Sequence, residues 1–253
     1  MTDLQPSNTF QTVSWCGRQV RQNQCMASWL GLAFSMLLSG CSTLVPSNSA
    51  SLLKNAVTDS VDVRFGVARM VEHNGDIKDA LDLYRQLLDD HSDHTEARHR
   101  YGIVLLKLER LDEAIEQLVI ASEEQPTSAA ILGDLGYAHY LAGEDRDAES
   151  LLKDALSIEP SDERLANNLA LVVGRQGRFD EALQLFRQTG SEAEAQSNIA
   201  FVFSSAGKLE QAKRHYHQAL ELDPKLDVAA RGLAEFARLE QSARMAGVKS
   251  SLR

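Results

Sequence analysis

The sequence predicts an all-α fold of antiparallel helix pairs stacked into a solenoid, and three observations predict it. An internal period comes first: Ala80, Ala114, Ala148 and Ala182 recur every 34 residues, and Ala212 follows after 30. The second is a small residue twelve positions before each of these alanines: Ala68, Gly102, Gly136, Ala170 and Ala200. The third is punctuation. Gly75, Gly143, Gly177 and Gly207 suit the left-handed residue that ends a helix, and Pro126, Pro160 and Pro224 stop or restart helices.

Around each alanine the same pattern is spelled out: GDIKDALDLY, ERLDEAIEQL, GEDRDAESLL, GRFDEALQLF and GKLEQAKRHY. With its 34-residue period and helix–turn–helix unit, this pattern resembles the tetratricopeptide repeat over residues 61–226. The resemblance implies a tetratricopeptide-repeat solenoid of five units, 61–94, 95–128, 129–162, 163–192 and 193–226. The physical reading agrees with it. The small residue lets the two helices of a unit approach closely. Leu135, Leu169 and Ile199, one position before it, supply apolar bulk. So do Tyr84, Leu118, Leu152, Phe186 and Tyr216, four after the key alanine. One pair cannot bury its apolar face alone, so stacked neighbours make the core.

Three departures from the period carry expectations. Glu109 stands where the other units have glycine, so unit two is expected to end its first helix less cleanly. Unit four lacks four residues between Phe186 and Ala193, close to one helical turn of 3.6 residues. Its second helix is therefore expected to lose a turn, with an altered angle between units four and five. Residues 227–241 read as a capping helix with a polar outer side, and 242–253 as a disordered tail.

The segment before the repeats has another character. Met26 to Gly40 is uncharged and apolar, preceded by Arg18 and Arg21. In a helix it spans about 22 Å, short of the roughly 30 Å of a bilayer core. A positive flank, a short apolar run and small residues describe a secretory signal over residues 1–40. Leu38-Ser39-Gly40-Cys41 resembles the lipobox of bacterial lipoproteins. That resemblance implies cleavage before Cys41, diacylglycerol on its thiol and a membrane attachment through the lipid. Two or three acyl chains hold firmly where one holds only reversibly. Residues 41–60, rich in Ser, Asn and Thr, read as a lipidated tether. Cys16 and Cys25 fall in the removed part, so disulfides are not expected to hold the fold.

Catalytic patterns are weak. Ser150–Lys153 and Ser51–Lys54 match S-x-x-K without its companion motifs. His91, His94 and His99 with Asp89, Asp90 and Asp93 offer metal donors, but at a unit junction where a solvated polar turn is expected. His215 and His217 lie two apart on a helix and do not share a face. No phosphate loop or nucleophile–base set is present, so neither an enzyme nor a cofactor is expected. The formal net charge of −10 argues against a nucleic-acid partner.

The resemblance places a protein- or peptide-binding groove on the first helices. Nine residues into successive units stand Arg69, Ile103, Tyr137, Leu171 and Phe201, four of them apolar or aromatic. Arg100, Asn168 and Asn198 occupy the sixth position, and Glu72, Leu106 and Tyr140 the twelfth. The asparagine amides suit hydrogen bonding to a partner backbone. The co-chaperone members of this family clamp a terminal carboxylate with lysine and asparagine. Here the fifth position is Phe65, His99, Gly133, Asn167 and Ser197, with no lysine, which disfavours that role. The expected function is a lipid-anchored adaptor in the bacterial cell envelope, resembling the lipoproteins of pilus assembly or tight-adherence secretion. The alternative is an envelope-maintenance adaptor that recruits peptidoglycan hydrolases or proteases. Ser42 after the lipobox points by the family rule to the outer membrane, facing the periplasm.

Overall fold

In the computed structural model the described residues are 60–251, and Cys41, the apolar segment and the tether before Ser60 lie outside them. Among the described residues there are eleven α-helices and no strand. They are α1 Val61–His73, α2 Ile77–Asp90, α3 Thr95–Lys107, α4 Leu111–Glu124, α5 Ala129–Ala142, α6 Asp145–Ile158, α7 Glu163–Arg175, α8 Phe179–Thr189, α9 Glu192–Ser205, α10 Leu209–Leu222 and α11 Asp227–Ser251. The first ten form five antiparallel pairs, and α11 packs against α10 as a further first helix would. The fold is an all-α repeat solenoid.

The turn within each pair is the same. Arg178 N–H donates to the Val173 carbonyl, Glu144 to His139, Lys208 to Phe203, Asp76 to Val71 and Arg110 to Leu105. Four of these turns hold a glycine at positive φ, between 71° and 91°. The fifth holds Glu109 at φ 59°. Unit two thus ends its first helix with the same hydrogen bonds as the others, contrary to the expectation of a looser end. Its glutamate accepts a left-handed backbone that costs an L-residue about 1–2 kcal/mol. The bonds of the shared turn outweigh that strain.

Helix starts are capped by short polar side chains where the sequence supplies them. Asp162 accepts from the N–H groups of Arg164 and Leu165, and Ser128 from Ile131. Ser191 and Glu194 form a reciprocal capping box at the start of α9. Only Gly190, in extended backbone, separates that cap from the end of α8. α8 has 11 residues where α2, α4, α6 and α10 have 14, so the missing turn comes out of the second helix of unit four. α11 continues to Ser251, past the end expected at 241 and into the stretch expected to be disordered. That stretch has no proline, and its alanines, arginines and methionine favour helix.

Packing follows the period. The key alanines Ala80, Ala114, Ala148, Ala182 and Ala212 are fully buried. The small residues facing them leave no room for more: a Cβ on Gly102 would sit 2.7 Å from Leu118 Cγ, and on Gly136 2.9 Å from Leu152 Cγ. A second set of buried positions joins one unit to the next. These are the third, seventh and tenth residues of each unit: Ala97, Tyr101 and Val104; Ile131, Leu135 and Ala138; Leu165, Leu169 and Val172; Ala195, Ile199 and Val202. They pack toward the preceding unit: Leu165 crowds the Cβ position of Gly133 in α5, and Val202 that of Gly174 in α7. From α3 onward each first helix also touches the next first helix, whereas second helices do not pair in this way. The first helices therefore line one common face.

The turn chemistry sets a test. Glu109→Gly removes the left-handed strain but adds unfolded-chain entropy, a net gain of about 0.5–1 kcal/mol. Gly143→Ala does the reverse in open space, where nothing lies within 4 Å of the new Cβ, and costs about 1 kcal/mol. Urea midpoints should move in opposite directions, and movement in the same direction would contradict this account.

Candidate protein-binding groove

The first-helix face begins with a charged cluster. Glu72, at the end of α1, is 4 % exposed. Arg100 of α3 clasps its carboxylate with two hydrogen bonds of 3.0 and 2.5 Å. Lys107 adds a third at 2.7 Å and the Tyr84 hydroxyl a fourth at 3.0 Å. Burial alone would raise the Glu72 carboxyl; hydrogen bonds from Arg100 and Lys107 outweigh it and hold the group below the usual carboxylate range. Burial, and then the Glu72 charge, push the Tyr84 phenol up. Arg100, expected as a free groove residue, is thus occupied in joining unit one to unit two.

The next units are joined similarly. His99 Nε2 lies 2.8 Å from the Asp134 carboxylate, which also accepts from Arg164 at 2.5 Å. This bridges α3, α5 and α7 across the inner face. The arrangement also accounts for the histidine-rich junction. His94 accepts from the Ala97 N–H as a helix cap and packs on the Phe65 ring, while His99 turns to Asp134. The three histidines do not converge on a metal. Among the described residues one trio, His139, Glu144 and Asp147, brings single donor atoms within 4.8 Å of one another. Both its carboxylates are exposed, and His139 Nδ1 already bonds Glu144 at 2.5 Å. His215 bonds Gln196 and stacks on Phe203, which leaves it apart from His217. Ser150 and Lys153 lie on α6, where Lys153 pairs with Glu149.

Between and beyond these ion pairs lies an apolar and aromatic strip. Ile103, Tyr137, Tyr140 and Leu171 are half-buried. Tyr137 and Tyr140 stack with centroids 6.1 Å apart, and the Arg175 guanidinium sits 3.9 Å over the Tyr140 ring. Asp145 pairs with the same arginine and fixes it there. Burial raises both phenols, so they stay neutral near pH 7. Among the described residues neither hydroxyl has a hydrogen-bond partner within the chain. Phe201 is 41 % exposed. Asn168 and Asn198 are half-buried, and among the described residues their amides bond nothing in the chain. Asn167, one position earlier, bonds Thr189 instead. Arg69 is exposed and lies over the Phe65 ring. The predicted row therefore divides. Ile103, Tyr137, Tyr140, Leu171, Phe201 and the two asparagine amides offer unused surface, and Arg100 does not. The Glu72 cluster escapes sequence reasoning because a glutamate at a helix end carries no mark of burial.

No helix among the described residues is long and apolar enough to cross a membrane.

Family models described as Tetratricopeptide repeat match residues 73–133, 128–158 with 164–189, and 193–226. Together they span more than half of the chain. No curated protein matches the sequence. Solved structures share the fold. A thermophilic TPR protein of Thermus thermophilus, TTC0263, is 25 % identical over 70 % of this chain and all of its own, with a TM-score of 0.55. YrrB, described as a TPR protein with an unusual peptide-binding site, is 18 % identical over 75 % of this chain and 98 % of its own (TM-score 0.54). Pseudomonas aeruginosa pilF is 19 % identical over 74 % of this chain and 88 % of its own (TM-score 0.55).

The Glu72 cluster makes a pH-dependent prediction. Its folded pKa lies below the unfolded one, so its stabilisation is present above the unfolded value and is lost as pH falls through the folded one. Glu72→Ala should cost about 2–4 kcal/mol at pH 7 by leaving Arg100 and Lys107 unpaired. The stability gap between wild type and Glu72→Gln should shrink below about pH 4. A gap that stays constant from about pH 7 to about pH 3 counts against this network.

Proposed function

The chain belongs to the tetratricopeptide-repeat family and is a protein-interaction scaffold, and from that premise we propose that its first-helix face holds an extended segment of a cell-envelope protein. One observation carries this reading. Ile103, Tyr137, Tyr140, Leu171 and Phe201 form a partly uncovered apolar strip, beside two asparagine amides with no partner in the chain among the described residues. Apolar surface and free amide groups together suit a peptide: side chains settle on the rings while Asn168 and Asn198 pair its backbone. The strip is held rigid by inter-unit ion pairs, so little ordering cost falls on binding.

The envelope placement rests on sequence. The apolar segment and the lipobox-like Leu38-Ser39-Gly40-Cys41 support a lipid anchor, and Ser42 supports the outer membrane. The combination of lipobox and repeats supports work in pilus assembly or tight-adherence secretion, where an anchored adaptor positions membrane components. The shared fold with pilF is consistent with this and shows only the fold.

Two measurements test the proposal separately. Fatty-acid labelling of wild type should tag the protein and keep it in the membrane fraction, and Cys41→Ser should abolish both. Unlabelled, soluble wild type removes the anchor. For the groove, a photo-crosslinking benzoylphenylalanine in place of Phe201 should capture envelope proteins in cells. Tyr137→Ala with Leu171→Ala should lower that capture at least tenfold. Capture no greater than from the same probe at Leu222, exposed on a second helix, would sink the groove.

A further inference from the structure

We propose that α1 is a self-association surface on which two copies of this chain pack antiparallel, each covering the other's open stacking face. Unit one differs from the others at its stacking positions. In units two to five the third, seventh and tenth residues are apolar and buried, as Leu165, Leu169 and Val172 are, and Leu165 and Val202 lie against Gly133 and Gly174 of the preceding unit. In unit one the same positions are Val63, Val67 and Met70, equally apolar but 39 %, 40 % and 58 % exposed. Terminal units of a solenoid normally carry a polar outer face. Here the face has kept the composition of an internal one, and among the described residues no helix precedes α1 to cover it.

The face is built to receive its own copy. Gly66 lies within the stripe, and a Cβ built there meets nothing within 4 Å, so a second backbone can come close. Asp62 in the first turn and Arg69 two turns later share one flank of the helix, and among the described residues neither has an ion-pair partner. In an antiparallel pair with its two-fold axis at Gly66, Asp62 of one protomer lies opposite Arg69 of the partner subunit, and this occurs twice. Val63 then meets Met70 of the partner subunit. In a parallel two-fold pair these flanks fall on opposite sides of the interface, and Asp62 has no Arg69 of the partner subunit opposite it. An antiparallel neighbour is also what every later first helix has, because short loops join it to the preceding second helix. One helical face is small against a standard interface, so the dimer is reversible and concentration-dependent.

The test uses the full chain with Cys16, Cys25 and Cys41 changed to Ser. Gly66→Cys, near the two-fold axis, should crosslink to itself under mild oxidation at least ten times faster than Glu210→Cys, an exposed control. In sedimentation equilibrium Val67→Glu should raise the dimer dissociation constant at least tenfold while circular dichroism stays unchanged. Asp62→Arg should weaken the dimer, and adding Arg69→Asp should restore it. A monomer at every concentration, or Gly66→Cys linking no faster than Glu210→Cys, overturns the proposal, including the case where another part of the chain covers the face.

Discussion

Each first helix among the described residues carries two apolar faces, one turned to its own second helix and one to the preceding unit's position. A single pair satisfies only the first of these. Burying a side chain such as Leu165 or Ile199 gains about 1.5–3 kcal/mol, and most of the inter-unit positions receive that gain only when a neighbour is stacked on them. The period follows from this need. A register that drifted would turn the third, seventh and tenth residues of a unit out of contact with the helix before it. The shortened α8 obeys the same rule, since removing about one turn leaves Ala182 and Phe186 buried and in phase.

Apolar stacking sets distance and register, and it leaves the choice of partner to the polar groups along the seam. Glu72 with Arg100, and Asp134 with His99 and Arg164, join neighbouring units on the groove side. On the other side Glu149 is held down to about 2 by hydrogen bonds from Arg178 and Lys153. Exposed ion pairs add little to stability. The Glu72 cluster differs because its carboxylate is withdrawn from water and fully engaged. The strip of Tyr137, Tyr140 and Leu171 lies between such junctions, so a docking surface is left on a frame that is otherwise closed.

The helices, their pairing and the buried alanines were legible in the sequence because they depend on local spacing. A residue that recurs every 34 positions meets the same surroundings each time. The glycine turns were legible for the same reason. Glu109 was misjudged because the hydrogen bonds of its own turn decide the backbone there, and side-chain propensity is the weaker influence. The groove was legible in part. The ninth-position row named Ile103, Tyr137, Leu171 and Phe201 because repeats share a face, but spacing could not show that Arg100, three positions earlier in its unit, was already engaged.

By itself the sequence determined the fold class, the number of units and the face that the first helices share, since each is a consequence of periodicity and of the need to bury apolar residues. Only the tertiary structure decided which of the residues on that face remain available. Arg100 and Lys107 converge on Glu72 from another helix, Arg175 stacks on one face of the half-buried Tyr140, and Asn168 and Asn198 are left without partners among the described residues. It also decided that Val63, Val67 and Met70, ordinary stacking residues by their spacing, are exposed on the first of the described helices. The physical reason is the same in each case: periodicity states which positions are equivalent, and equivalence ends where a long-range ion pair forms or where, among the described residues, no neighbouring unit is stacked.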